Sequence, residues 1–253
     1  MLGSPARLVF EIAEAAEPDR YVVLCGWTRM RASGLRLVEN FLDMAHFPFV
    51  RTDILGAEPN ITVPHYSARI DRDADEVWAS GCQSFQPRIT AAASAGSFAQ
   101  LSYRVPTPFT VMLYRVCPTA PARLDVVAMF IQPIGEDVCR AQSVLYLVDQ
   151  GLPLTEMLRF QQVISLQDRI VVENQRPVLL PLDPRAELPT RADSSSIAYR
   201  RLGQRRVLGR LQPKAARWIS VTAWNSSRLT ITSTASAAKA RGARKFDVAN
   251  AIM

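Results

Sequence analysis

The sequence predicts an α+β domain, an antiparallel meander of about five to seven strands with one face against helices. Three observations predict it. β-branched and aromatic runs recur from Ile61 to Val148, at spacings too short for crossover helices. Apolar residues at three- and four-residue intervals mark a helix on each side of that block. A chain of 253 residues is long enough to bury one large core or two small ones, and is read here as one domain plus a tail.

The elements follow in order. Arg20 to Trp27, RYVVLCGW, reads as a strand. A helix begins at Gly34 with Ser33 as N-cap, and Leu37, Val38, Phe41, Leu42 and Ala45 form its apolar stripe. Glu39, Asn40, Asp43 and His46 then fall within an arc of roughly 120° on the other side, facing one space. Pro48 predicts the end of this helix near Phe47, because the residue before proline is driven out of the α region. Arg51 lies just past that end, free to fold back toward His46. The strand block consists of ITVPHYSARI, SFAQLSYRV, FTVMLYRVC, LDVVAMFIQPI and CRAQSVLYLV, separated by turns such as CPTAPAR and PIGEDV. Gly151 and Pro153 close it, and a second long helix is predicted from about Leu154 to Asn174.

In that second helix Met157, Phe160, Ile164, Asp168 and Val171 share one stripe, so a carboxylate stands among apolar neighbours. A buried charge must be paired or bound to metal. The candidates are an ion pair with Arg159 or Arg169, or a metal ion.

Composition narrows the classes. No apolar run reaches the roughly 18 residues of a membrane span, and the N-terminus carries no leader pattern, so a cytoplasmic protein is expected. Cys25, Cys82, Cys117 and Cys139 form no CxxC or CxH pair and read as buried thiols. With His46 and His65 as the only histidines, neither a zinc finger nor an iron–sulfur site can be assembled from these residues at any familiar spacing. From Tyr199 onward twelve basic residues meet one acid, a charge of +11 that leaves −4 for residues 1–198. This tail lacks the spacing and aromatic platform of a nucleic-acid module, so nucleic acid is not an expected partner. Its stretch SSRLTITSTASAAKARGARK reads as disordered.

The segment ENFLDMAHFPFV, with its N-x2-D-x2-H core, and the later QDRIVVENQRPVLLPLDPRAELPTRADSSSIAYRR resemble the catalytic domain of Rieske-type non-haem iron oxygenases. The resemblance covers residues 1–202, leaves 203–253 as a basic tail, and is to the vanillate O-demethylase and ring-hydroxylating α-subunit group. It implies a helix-grip fold, with the sheet curled around a long C-terminal helix and substrate lodged between them. It also implies oxygen insertion from O2 into an aromatic substrate, by ring hydroxylation or O-demethylation. His46 and Asp168 match ligands of a mononuclear Fe(II); Asp43 matches the acidic residue linking that histidine to a neighbouring protomer's cluster; Asn40 matches a polar neighbour of the iron. Electrons from NAD(P)H would come through a reductase and a [2Fe–2S] donor on partner chains, within a homotrimer. Phe47, Phe49, Phe109, Met112, Tyr114, Met129 and Phe130 are candidates to line the substrate cavity.

Two departures qualify these implications. Where the family places its second histidine ligand, five residues after the first, this chain has Arg51, whose guanidinium offers no lone pair; His65 is the one histidine left to replace it. The chain also lacks the CxH and CxxH pairs of a Rieske cluster, which, with the basic tail, suggests a truncated or frameshifted coding sequence. The expected activity is therefore an impaired one, and the alternative is a metal-free helix-grip module binding an apolar ligand.

Overall fold

A computed structural model describes residues 10–87, 96–149 and 153–211, the side chains of 207–211 excepted. Seven strands form one antiparallel sheet: β1 (Tyr21–Met30), β2 (Ser67–Asp71), β3 (Glu76–Gln86), β4 (Ser97–Thr107), β5 (Thr110–Cys117), β6 (Ala120–Pro133) and β7 (Cys139–Leu147). Their order is β1-β7-β6-β5-β4-β3-β2. Strands β2 to β7 run as consecutive hairpins, while β1 pairs with β7 at the far edge, Tyr21 opposite Leu147. The link from β1 to β2 must therefore cross the full width of the sheet. It carries two short helices, α1 (Gly34–Leu42) and α2 (Phe47–Val50), over the buried face.

The predicted first helix is shorter than its sequence suggests. It stops at Leu42, because Asp43 turns extended (φ −82°, ψ 121°). Pro48 does not end it but sits in the first turn of α2, where a missing N–H leaves no hydrogen bond unmade. Strand β3 was not among the predicted runs; its Ser80-Gly81 step forms a bulge that interrupts the alternation, with Gly81 at φ +70°. Of ITVPHYSARI, only the part from Ser67 pairs.

Helix α3 (Leu154–Asn174) has the predicted limits. Met157, Gln161, Ile164, Asp168 and Val172 form its buried side, and Met157 packs with Val23, Cys25, Leu145 and Leu147 over the β1–β7 edge. Helix α4 (Ser194–Leu211) covers the opposite edge through Ala198, Tyr199 and Leu202, so regular structure continues past residue 202. Its start is held by Tyr66, whose hydroxyl accepts the Ser195 N–H at 3.0 Å and donates to the Ala192 carbonyl at 2.6 Å. The SSRLTITSTASAAKARGARK stretch lies outside the described residues.

Leu37, Val38 and Leu42 of α1, none of them exposed, pack on the inner sheet face with Val77, Tyr103, Val111 and Met129. The outer face holds a second apolar cluster, Met112, Tyr114, Val126 and Ala128, with Phe10, Trp78 and Phe130 against it. This division corrects the expected cavity lining. Side chains alternate along a strand, so Met112, Tyr114 and Phe130 point away from Met129 and Phe109, and Phe49 is 63% exposed. The four cysteines are buried free thiols, as their apolar settings predicted, and burial pushes Cys25 and Cys82 up to about 12.

Candidate functional site

The site is the elbow between α1 and α2, closed from above by α3. Asp43, freed from the helix, accepts the Ala45 N–H through Oδ1 at 2.7 Å and holds His46 Nδ1 through Oδ2 at 3.0 Å. With Nδ1–H donated to that carboxylate, the other ring nitrogen is the one presented inward. His46 Nε2 stands 3.6 Å from Asp168 Oδ1, too far for a hydrogen bond but close enough for electrostatic attraction. Burial of the ring opposes its charge, but Asp168 and then Asp43 outweigh that and hold its pKa above the ordinary value.

Helix α2 is a single turn that folds Arg51 back beneath His46, as its position in the sequence allowed. The Arg51 N–H donates to the Phe47 carbonyl at 3.0 Å, and its guanidinium lies over the Phe47 ring, 4.9 Å from the centroid. Its Nε donates to Asp168 Oδ1 at 2.8 Å and its Nη2 to Oδ2, a two-pronged pair with both residues buried. Burial alone would raise the Asp168 pKa, but the Arg51 charge, with His46, more than offsets this and holds it low. The expected burial of Asp168 is thus observed. Its partner is neither Arg159 nor Arg169, which face away from the stripe, but Arg51, 117 residues distant in sequence.

The loop after Arg51 is pinned by Gly56, whose carbonyl accepts the Asp53 N–H at 2.9 Å. A Cβ at Gly56 would fall 2.4 Å from the Pro48 nitrogen, so only glycine admits this approach of loop to helix.

Asn40 is buried beside this elbow, and its Oδ1, like His46 Nε2 and the Tyr103 hydroxyl, has no hydrogen-bond partner among the described residues. Tyr103 was not foreseen. The signal was its place in SFAQLSYRV, on the inner side with Leu101 and Val105. Glu39, expected to face the same space, turns elsewhere. It accepts from Arg36 at 2.9 Å and Arg200 at 2.7 Å, and both arginines also bind Glu187, while Arg36 donates to the Pro177 carbonyl at 2.8 Å. This network joins α1 to α4 and was not legible from spacing. His65 is exposed on the segment before β2, and the place beside His46 and Asp168 belongs to Arg51.

The test of the expected iron site is the chemistry of these donors. His46 Nε2 and the Asp168 carboxylate do face one another. The third position, however, carries five N–H donors, a positive charge and no lone pair, and both Asp168 oxygens are engaged by it. Among the described residues no three His, Cys, Asp or Glu side chains converge as a ligand set. As arranged, the residues do not fit a divalent cation. Two pockets between helices and sheet, one beside Cys25 and Gln162 and one beside Phe47 and Phe85, enclose about 10 Å³ each, room for about one water.

Residues 30–209 match the family of vanillate O-demethylase oxygenase C-terminal domains. The chain is 46% identical over 200 residues to a probable methylxanthine N7-demethylase, NdmC, of Pseudomonas sp. (strain TJI-51), covering 79% of this chain and 71% of that protein. Its fold is that of NdmA from Pseudomonas putida CBB5, solved with caffeine, at TM-score 0.66 and 20% identity over 81% of this chain. Dicamba monooxygenase bound to dicamba follows at TM-score 0.59 and 14% identity over 83% of this chain. The chain spans 57% of the NdmA chain and 65% of the dicamba monooxygenase chain. Matching the family model over most of its length, and carrying the sheet and helices expected of it, the chain belongs to the catalytic C-terminal domains of the Rieske oxygenases.

Proposed function

We propose that the chain is the catalytic-domain part of an oxygenase acting on a small methylated aromatic or purine-like substrate, impaired in this form by the Arg51–Asp168 pair. The observation that carries this reading is the meeting, at 3.6 Å, of His46 and Asp168, 122 residues apart in sequence, within a chain 46% identical over 200 residues to a probable methylxanthine N7-demethylase. In this reading His46 and Asp168 occupy the positions of iron ligands, Asp43 orients the imidazole and leads toward the electron donor, and Asn40 is the polar neighbour. O2, a reductase and a Rieske-cluster donor are the partners required, in a cytoplasmic homotrimer, with NAD(P)H and [2Fe–2S] held on partner chains.

The test is turnover. Full-length wild-type protein and Arg51→His are supplied with Fe(II), NAD(P)H, a reductase and a Rieske donor, together with N-methylated purines or methoxylated benzoates. Formaldehyde release from Arg51→His, well above that of the wild type and lost on Asp168→Ala, is the expected outcome. An iron-loaded Arg51→His protein that turns over neither substrate class defeats the proposal.

A further inference from the structure

We infer that Arg51 is a built-in replacement for the divalent cation, so that this site is held together without metal and its carboxylate is open to metal only when Arg51 is removed. The inference rests on the family reading of the same site. Its ground is the placement of one side chain.

A metal ion in such a site has two tasks for the fold: it neutralises a carboxylate that is 2% exposed, and it ties the α1–α2 elbow to α3. Arg51 does both. Its fork spans the two Asp168 oxygens, the geometry in which arginine matches a carboxylate better than lysine can. The guanidinium is itself seated, by the Phe47 ring on one side and by the backbone of α2 that carries it. The seat is therefore built around the cation rather than tolerating it.

The same placement explains what is left over. His46 keeps its Asp43 support, the usual arrangement for a ligating imidazole, yet its Nε2 has no hydrogen-bond partner among the described residues. A cation drawn to that nitrogen would have to share Asp168 with a fixed positive charge, and would find no set of three His, Cys, Asp or Glu side chains among the described residues. Replacing Arg51 by histidine removes the charge and adds the donor, completing two histidines and a carboxylate, the set that suits Fe(II).

The experiment uses the full chain and Co(II), an oxygen-stable probe whose visible spectrum reports nitrogen and oxygen ligation, with anaerobic Fe(II) in parallel. Wild-type protein, Arg51→His and Arg51→Ser are titrated, and thermal unfolding is followed with and without chelator. The expected result is no stoichiometric site in the wild type and an unfolding temperature indifferent to chelator. Arg51→His should gain one site, at least about 100-fold tighter than any wild-type binding, with an unfolding temperature that chelator lowers; this is the upper range for losing one supporting contact, here exceeded by a ligand and a charge. Arg51→Ser, which needs less repacking, answers the question if Arg51→His does not fold. One-to-one binding by the wild type that His46→Ala abolishes overturns the inference, as does a folded Arg51→Ser or Arg51→His that binds nothing. Because the readout is metal occupancy, a variant that binds metal without turning over substrate leaves this inference standing while the proposed function fails.

Discussion

Arg51→Met should destabilise the protein severely, and the size of the loss can be worked from the pair it breaks. At 2.8 Å and an effective dielectric of about 20, the gross attraction between Arg51 and Asp168 is about 6 kcal/mol. Desolvating both groups cancels much of that in the intact protein, so the pair adds little net stability over an apolar one. Removing only the arginine is another matter. Asp168, 2% exposed, is then a buried charge with no cation but His46, and such losses run to about 3–5 kcal/mol. In a chain of 253 residues that corresponds to a fall of about 6–20 °C in unfolding temperature. The companion double variant, Arg51→Met with Asp168→Leu, removes charge and counter-charge together and should return to within about 1 kcal/mol of the wild type. Urea denaturation of the four proteins of this cycle, followed by circular dichroism, measures all of it. A single variant that loses less than about 1 kcal/mol, or a double variant as unstable as the single, refutes the account of Arg51 as the charge that makes Asp168 tolerable in the core.

Two further outcomes follow from other contacts. Gly56→Ala should cost about 1–3 kcal/mol in the same denaturation assay, since its Cβ meets backbone of α2 that cannot rotate away. Glu173 accepts the Arg31 N–H and the Arg169 Nε, each at 2.9 Å, and these bonds hold its pKa below the ordinary 4.5. A depressed carboxylate stabilises the fold above its unfolded-state pKa and loses that contribution as pH falls through 4.5 toward the folded value, so Glu173→Gln should flatten the acid limb of a stability–pH curve while leaving the alkaline limb unchanged.

Much of this architecture is written in local pattern, and what is not has a definite physical reason. Helix α3 was legible to the residue because its periodicity is uninterrupted and Pro153 fixes its start. The first helix was over-extended because nothing in FLDMAHFPF announces that Asp43 will bond the Ala45 N–H rather than remain helical. Strand β3 was lost to its own bulge. At the site, sequence placed His46, Asp43 and Arg51 together because they are neighbours, and placed Asp168 in the interior because of its stripe. It could not pair Asp168 with Arg51, since the two lie 117 residues apart and meet only when α3, which follows the last strand, packs against the elbow that precedes β2. Glu39 shows the same limit, as a helical arc assigns a direction but not which of several arginines waits there.

The crossing from β1 to β2 has a mechanical consequence. Helix α3 grips one edge of the sheet and α4 the other, and the elbow between α1 and α2 is fastened to the first through Arg51 and to the second through Glu39, with the Leu42 carbonyl accepting from the Ser195 hydroxyl at 3.2 Å. The two edges, remote from each other in the plane of the sheet, thus share one clasp. Opening that clasp should release both helices as a single cooperative unit, with amide protons of α3 and α4 exchanging at a common rate rather than as two independent flaps.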